Sequence, residues 1–450
     1  VVAAIRPYFA LKETHMIFSS PRWFLLFALL LIPMLLIACA DDDDDNDDNA
    51  GDDDTLDDDD TSVDDDTIDD DDDTTDDDDD TIDDDDDTED DDTGDDDTGD
   101  DDITPIDCPA VITRQPYLQL ATQTGIHVLW LSDQKGDSLI EWGETEDLGE
   151  YVYDESFTAK HELAIEGLEP GTEYFYKVRT CLDETTVASF RTAPQPGTPF
   201  NFVGFGDNQS GWETFTDIAA LMYEKNPWLA MSVGDCVDDG WNFEDFEQQL
   251  FGPGEDLWRE APLYVSIGNH EGLAPNFFDA FHFPNDDKAY YSFTWGNVFF
   301  LCLALDTWHI AIPGTPQYKY MVQELSSDAA QNADFRVVFF HTPPWTEGWD
   351  SYDGEWYVRM FTVPVMEQHN VDVYFNGHTH DYERGLRNGV ASYIIGGAGG
   401  GLDSWARDVE HITVYEAVHH FVNVSVDDAT MRIDAIDLDG NIFDTYTISK

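Results

Sequence analysis

"YFNGHTHDYER", residues 374–384, ends an apolar run on two histidines, His378 and His380, with acidic and basic side chains directly behind them. Residues two apart on an extended strand share a face, so both imidazoles can reach one centre. Taken alone the pair could be a surface coincidence. Upstream, apolar runs of strand length recur in "FNFVGFGD", "LAMSVGD", "APLYVSIGNH" and "FRVVFFHTPP", and the first is followed by a helical stretch with Phe215, Ile218 and Met222 on one face. Each run stops on a metal-capable side chain: Asp207, Asp235, Asn269 with His270, His341, then His378 and His380. Side chains gathered at the carboxyl ends of strands are what an α/β layer presents. A Gly-Asp pair usually marks a turn and a buried histidine is usually a satisfied core residue, but these strand ends together predict a metal centre.

Ahead of this region the pattern changes. Between about 112 and 193, "GIHVLWLS", "SLIEWGE", "KHELAIEGL" and "TEYFYKVRT" are short strand-like runs broken by turn signals such as "EPGT", which predicts a small β-sandwich. "PQPGTP", 194–199, is a stiff linker out of it. Residues 41–102 are almost entirely Asp and Thr and hold 42 of the chain's 98 acidic residues, so no core can form there. Repulsion predicts an extended spacer reaching on the order of 200 Å, with only loose cation association because the alternation of a folded calcium loop is lacking.

"MIFSSPRWFLLFALLLIPMLLIAC", 16–39, has one basic residue before an apolar run and stops at Cys39. It reads as a secretory signal with a lipobox-like Leu-Ile-Ala before a lipid-modified Cys39; the run is short for the alternative, a plain transmembrane anchor. The expected location is that of an exported bacterial lipoprotein, at the cell surface or in the periplasm, joined to the membrane by its lipid anchor. Beyond the arm, residues 103–450 hold 55 acidic and 17 basic residues, a net charge of −38. That argues against nucleic acid as a partner, and an anionic substrate would need a locally positive site, which bound divalent cations supply. Cys108 and Cys181 can pair in an oxidising exterior, whereas Cys236 and Cys302 lie in apolar runs and read as core thiols.

Through "GHTHDYER", "YIIGGAGG" and "YYSFTWGNVFFLCLALDTW", residues 200–450 resemble the metallophosphoesterase (calcineurin-like) superfamily, in its purple acid phosphatase branch. "QPYLQL", "HELAIEGLEPGTEYFYKVRT" and "SFRTAP" resemble the fibronectin type III-like domain that precedes the catalytic domain there. The expected plan is a signal peptide at 16–39, a disordered linker at 40–103, an all-β fibronectin type III-like sandwich at 108–195, and an α/β metallophosphoesterase domain at 199–450. The resemblance implies an αββα fold for the last, two mixed sheets flanked by helices. It further implies two metal ions about 3.5 Å apart, bridged by Asp235. Asp207 and His380 would serve the first ion, and Asn269, His341 and His378 the second. Carboxylate and neutral imidazole suit Fe, Mn or Zn. The implied reaction is phosphomonoester hydrolysis by attack of a metal-bound hydroxide, with His270 protonating the leaving oxygen and Glu271 orienting His270. Its substrates would be phosphorylated small molecules or phosphoproteins.

This chain departs from the family pattern. Purple acid phosphatases place a tyrosinate three residues after the bridging aspartate; Asp238 stands there, so the purple charge-transfer colour is expected to be absent. Gln209 stands where other metallophosphoesterases have a histidine, and its amide oxygen is a candidate ligand of the first metal, favouring Mn, Mg or Fe(II). "EGWDSYDGEW", 347–356, lacks the histidines expected beyond His341, so substrate contacts must differ. Asn208 and Arg384 are candidate phosphate contacts. "GGAGGG", 396–401, is expected to be a tight turn near the site, and "DLDGN", 437–441, a hairpin turn. Two other readings stay open: a phosphodiesterase of the same superfamily, or a surface-anchored phosphate- or metal-binding protein without useful turnover.

Overall fold

A computed structural model describes residues 105–285, 289–306 and 308–450, all within the compact unit that runs from Asp97 to Lys450. The expected signal peptide at 16–39, the expected lipidation site Cys39 and the acidic stretch all lie outside the described residues. No helix among the described residues is long and apolar enough to cross a membrane.

Six strands come first: β1 (Ile112–Gln119), β2 (Gly125–Gly143), β3 (Glu150–Glu166), β4 (Glu173–Thr180), β5 (Asp183–Glu184) and β6 (Ala188–Arg191). The runs "GIHVLWLS" and "SLIEWGE" are one strand, because β2 keeps its pairing with β3 through the polar "DQKG" by register shifts around Gly136. Along its length β2 exchanges β1 for β4 as its second neighbour, so all six strands are joined in one hydrogen-bonded network. Val128, Trp130, Ile140, Tyr176 and Phe190 fill its interior. Trp130 donates to Thr180 Oγ1 at 2.8 Å. Cys108 and Cys181 form a disulfide, and Cys236 and Cys302 are buried free thiols.

The α/β part opens with β7 (Phe200–Phe205), β8 (Leu229–Ser232), β9 (Leu263–Val265), β10 (Tyr291–Trp295), β11 (Val298–Cys302), β12 (Phe335–Phe339) and β13 (Val373–Asn376). It continues through β14 (Tyr382–Arg387), β15 (Val390–Ile395), β16 (Ile412–Glu416), β17 (His420–Asp427), β18 (Thr430–Asp437) and β19 (Ile442–Ser449). They make two mixed sheets, ordered β10-β11-β12-β13-β15-β14-β16 and β19-β18-β17-β7-β8-β9, as the sequence leads one to expect. β11, β12, β13 and β15 run parallel, as do β7, β8 and β9.

Period-two alternation divides the side chains of the first sheet. Phe300, Cys302, Val337, Phe339, Val373 and Phe375 join the core shared with the other sheet, where Phe202 meets Phe300 edge-on with ring centroids 5.3 Å apart. Phe299, Leu301, Val338, Phe340 and Tyr374 face a second core closed by Met321 and Leu325 of helix Pro316–Leu325 and by Val363 and Met366 of helix Val363–Gln368. Thr315 starts the former by accepting from Tyr318 N, with Pro316 in the first turn. On the other sheet, helix Trp212–Tyr223 buries Phe215, Ile218 and Met222, and Phe215 stacks on Phe205 at 5.2 Å. Each fully buried Phe contributes about 1.5–3 kcal/mol, so these interlocked aromatics hold the sheet ends that carry the polar residues.

The all-β part is packed on this scaffold. Tyr117 and Tyr176 donate to the carbonyls of Ala280 and Arg259, each at 2.9 Å, and Tyr264 donates back to the Ala121 carbonyl at 2.9 Å. Arg114 pairs with Glu247 and lies over the Phe251 ring. The hairpin expected at 437–441 is the turn between β18 and β19, with Asp437 Oδ1 accepting from Asp439 N and Asn441 N.

Candidate metal centre

The parallel strands leave their carboxyl ends at one place. Asp207 follows β7, Asp235 follows β8, Asn269 and His270 follow β9, His341 follows β12, and His378 and His380 follow β13. Asp207, Asp235 and His378 adopt left-handed backbone, with φ of 57°, 51° and 71°. Such conformations cost about 1–3 kcal/mol and persist where surrounding structure fixes them, commonly at functional sites. The glycines before two of these side chains have a packing reason. A Cβ at Gly377 would overlap Asp207 Oδ2, and one at Gly268 would overlap Asp235 Oδ1, so the Gly-His and Gly-Asn motifs are where a neighbouring carboxylate seats against bare backbone.

Hydrogen bonds fix the histidine tautomers. His341 donates Nδ1–H to the Val233 carbonyl at 3.0 Å, and His380 donates Nδ1–H to the Gly401 carbonyl at 2.8 Å. A carbonyl only accepts, so both rings turn Nε2 to the centre. Around His341 Nε2 lie Asp235 Oδ2 at 3.0 Å, Asn269 Oδ1 at 3.1 Å and His378 Nδ1 at 3.2 Å. Burial opposes charge on His341, but the Asp235 carboxylate outweighs it and raises the imidazole to about 10. Burial also works against ionised Asp235, yet His341 holds it down to about 2. Burial, reinforced by His341, lowers His378 to about 3. His341 Nε2 thus faces two side-chain oxygens and an imidazole nitrogen at one point, where a cation would fit.

The other half of the centre is short of positive charge. Asp207 is fully buried, and burial raises its carboxyl well above the usual range. Its Oδ1 accepts from His378 N at 2.8 Å and lies 3.7 Å from His380 Nε2, while Oδ2 has no hydrogen-bond partner among the described residues. Gln209 is buried with its Nε2 3.2 Å from His380 Nε2 and its Oε1 without a partner among the described residues. Turning the amide over would present that oxygen instead. Orphaned oxygens of two buried side chains beside a lone-pair imidazole fit a cation. The residues that could hold one ion are therefore Asp207, His380 and Gln209, and a second Asn269, His341 and His378, with Asp235 between. The "GGAGGG" turn lies against this half: Gly400 N donates to the Asp207 carbonyl at 2.8 Å.

His270 stands beside the centre. It donates Nδ1–H to the Asp238 carbonyl at 2.7 Å, its backbone N–H donates to Asp235 Oδ1 at 2.9 Å, and its Nε2 lies 4.0 Å from Asp235 Oδ2. Three expectations are corrected. Glu271 does not orient His270: its buried carboxylate accepts from the backbone N–H groups of Asp235, Cys236, Val237 and Gly268, and the Asp238 carbonyl holds the imidazole instead. Asn208 is wholly buried and commits its amide hydrogens to the carbonyls of Cys236 and Gln249, at 2.8 and 2.7 Å, so it has no donor left for a phosphate, while its Oδ1 has no partner among the described residues. Arg384 is tied to Asp444 at 2.5 and 3.1 Å and lies over the Tyr446 ring, so its guanidinium is committed to β19.

Among the other neighbours, Gln249 had no sequence signal. Asp238, at the tyrosinate position, accepts from Ser210 Oγ and from Gln249 Nε2, while Gln249 Oε1 receives both Ser210 N and Asp238 N at 3.0 Å. Gln249 belongs to the π-helical turn Glu247–Phe251, whose first residue meets Arg114 of the all-β part. Trp349 and Tyr352 pack on His378 with ring centroids 5.4 and 4.9 Å away.

Residues 200–382 match the calcineurin-like phosphoesterase family, whose purple acid phosphatase relatives use a dinuclear metal centre. The chain is 28% identical over 280 residues to purple acid phosphatase 23 of Arabidopsis thaliana, covering 52% of this chain and 59% of that protein. It is 27% identical over 308 residues to a purple acid phosphatase of Glycine max, covering 60% and 65%. It therefore spans less than two thirds of the length of these relatives. The solved structure of purple acid phosphatase PPD1 from yellow lupin (Lupinus luteus) seeds superposes with a TM-score of 0.64 at 19% identity, covering 74% of each chain. By this sequence match residues 200–382 are a calcineurin-like phosphoesterase domain, and the chain is purple acid phosphatase-like.

Proposed function

We propose that the chain is a metal-dependent phosphoric ester hydrolase acting on phosphomonoesters. The observation that carries this is the convergence of Asp235, Asn269 and His378 on His341 Nε2, beside the orphaned oxygens of Asp207 and Gln209. Two bound cations would supply an activated water and a counter-charge for the phosphate oxygens; Fe, Mn or Zn suits the donor set, and a Gln209 oxygen shifts the first position towards Mn, Mg or Fe(II). Asp235, held in place by Glu271 through the backbone N–H groups of its own loop, keeps the two halves together. His270, with Nδ1–H committed to the Asp238 carbonyl, is left with Nε2 to carry a proton to the leaving oxygen. We further propose that the all-β unit is a fibronectin type III-like domain, and that the chain is exported and lipid-anchored through Cys39.

The test is hydrolysis of a chromogenic phosphomonoester and diester by the full chain with Mn, Fe, Zn or Mg, beside Asp235→Asn. Metal-dependent turnover that falls at least about 100-fold in the variant is expected. A preference for the diester would move the assignment to a phosphodiesterase. No turnover by folded, metal-loaded protein would sink the enzyme and leave a phosphate- or metal-binding role.

A further inference from the structure

The stretch "EGWDSYDGEW", 347–356, holds three aromatic residues and no histidine, and the structure shows where two of the aromatics go. Trp349 packs on Tyr352 at 5.3 Å between centroids, and both lie against the ring of His378. Trp349 nevertheless stays 40% exposed beside a buried polar centre. Its φ is 55°, a conformation that a bulky side chain adopts only under constraint. The constraint is visible. Arg407 donates to the carbonyls of Gly348 at 3.1 Å, Trp349 at 3.2 Å and Asp350 at 2.7 Å, while Ala406 N and Val409 N donate to Glu347 at 2.7 and 2.8 Å. A guanidinium spent on backbone carbonyls holds one indole in place beside His378.

We propose that Trp349, backed by Tyr352, is the leaving-group platform of this site, and that it takes a neutral aromatic ring, so that the favoured esters are nucleoside monophosphates. The inference rests on the phosphoesterase reading and adds its substrate class. Arg384, the basic candidate, is committed to Asp444, and residues 103–450 carry a net charge of −38, so a leaving group with further negative charge is repelled. A flat uncharged base stacks on an indole at no electrostatic cost, and aromatic–base stacking is worth about 5- to 160-fold in affinity. Arg407 is a positioning residue that acts through Trp349.

Adenosine 5′-monophosphate and ribose 5-phosphate share a leaving oxygen and differ in the base, which makes them the discriminating pair. With the metal-loaded full chain, kcat/KM is expected to favour the nucleotide by about tenfold or more. Trp349→Ala should bring the ratio near one by raising KM for the nucleotide alone, Trp349→Phe should retain part of it, and Arg407→Gln should follow Trp349→Ala. Equal values in the unsubstituted protein, or a loss shared by both esters in Trp349→Ala, would overturn the platform. A turnover-free arm separates this from failure of the phosphatase reading: adenosine should quench tryptophan fluorescence in the unsubstituted protein and less in folded Trp349→Phe. Quenching without turnover of either ester would leave the platform standing and sink the enzyme. Identical quenching in the variant would sink the platform.

Discussion

Arg384 and Glu271 show how little a side chain's neighbours in sequence say about its direction. Arg384 lies four residues from His380, yet alternation along β14 commits it to Asp444. Arg384→Ala is expected to lower stability by about 1–3 kcal/mol and to leave KM for a phosphoester within about twofold, checked by thermal melts and initial rates; a large rise in KM would restore it as a phosphate contact. Glu271 follows His270 directly, but it turns inward and accepts the N–H groups of the Asp235 loop. Glu271→Gln would put an amide donor among those donors, and metal retained through gel filtration should fall by about 10- to 100-fold in affinity. Retention equal to that of the unsubstituted protein would remove Glu271 from the support of the centre. Asp207, Asp235 and His378 were legible because each ends an apolar run after glycine, a pattern that chain geometry enforces locally. Gln249 was not, since its contact with Asp238 depends on how a distant π-helical turn packs.

Among the elements, strands with one face in each core were legible because burial on both sides writes them as short continuous apolar runs. The length of β2 was not, because a polar interruption looks like a turn when the partner strand is unseen. The neighbouring β3 carries His161, buried between Ser132 Oγ at 2.7 Å and Ser138 Oγ at 2.8 Å and stacked on Trp130. Burial lowers its pKa from 6.5 to about 4. The unfolded chain therefore binds the extra proton first as pH falls, so the contribution of His161 is complete above about 6.5 and is lost towards 4. Thermal melts should show the stability advantage over His161→Gln shrinking across that window; a constant difference would place the titration elsewhere. Reducing the Cys108–Cys181 bridge, which spans 73 residues, should cost the same unit about 2–4 kcal/mol, read from melts of Cys108→Ser.

At the scale of the molecule, the all-β and α/β parts share one core, and their contacts reach the centre through Arg114, Glu247 and Gln249. Residues 199–450 expressed alone would expose the surface around Phe251 and Tyr264, and are expected to aggregate or to melt well below residues 105–450. Gel filtration and melting of both fragments check this, and a monodisperse 199–450 fragment of equal stability would show the interface to be dispensable. By itself the sequence determined the two mixed sheets and the residues at the strand ends, because short apolar runs, turn chemistry and the glycine before a functional side chain act over a few residues. The tertiary structure alone decided which of those residues meet, that Glu271, Asn208 and Arg384 serve the scaffold, and that Trp349 stands open beside His378. Those outcomes depend on which surfaces pack together across long stretches of chain, and no local pattern carries that information.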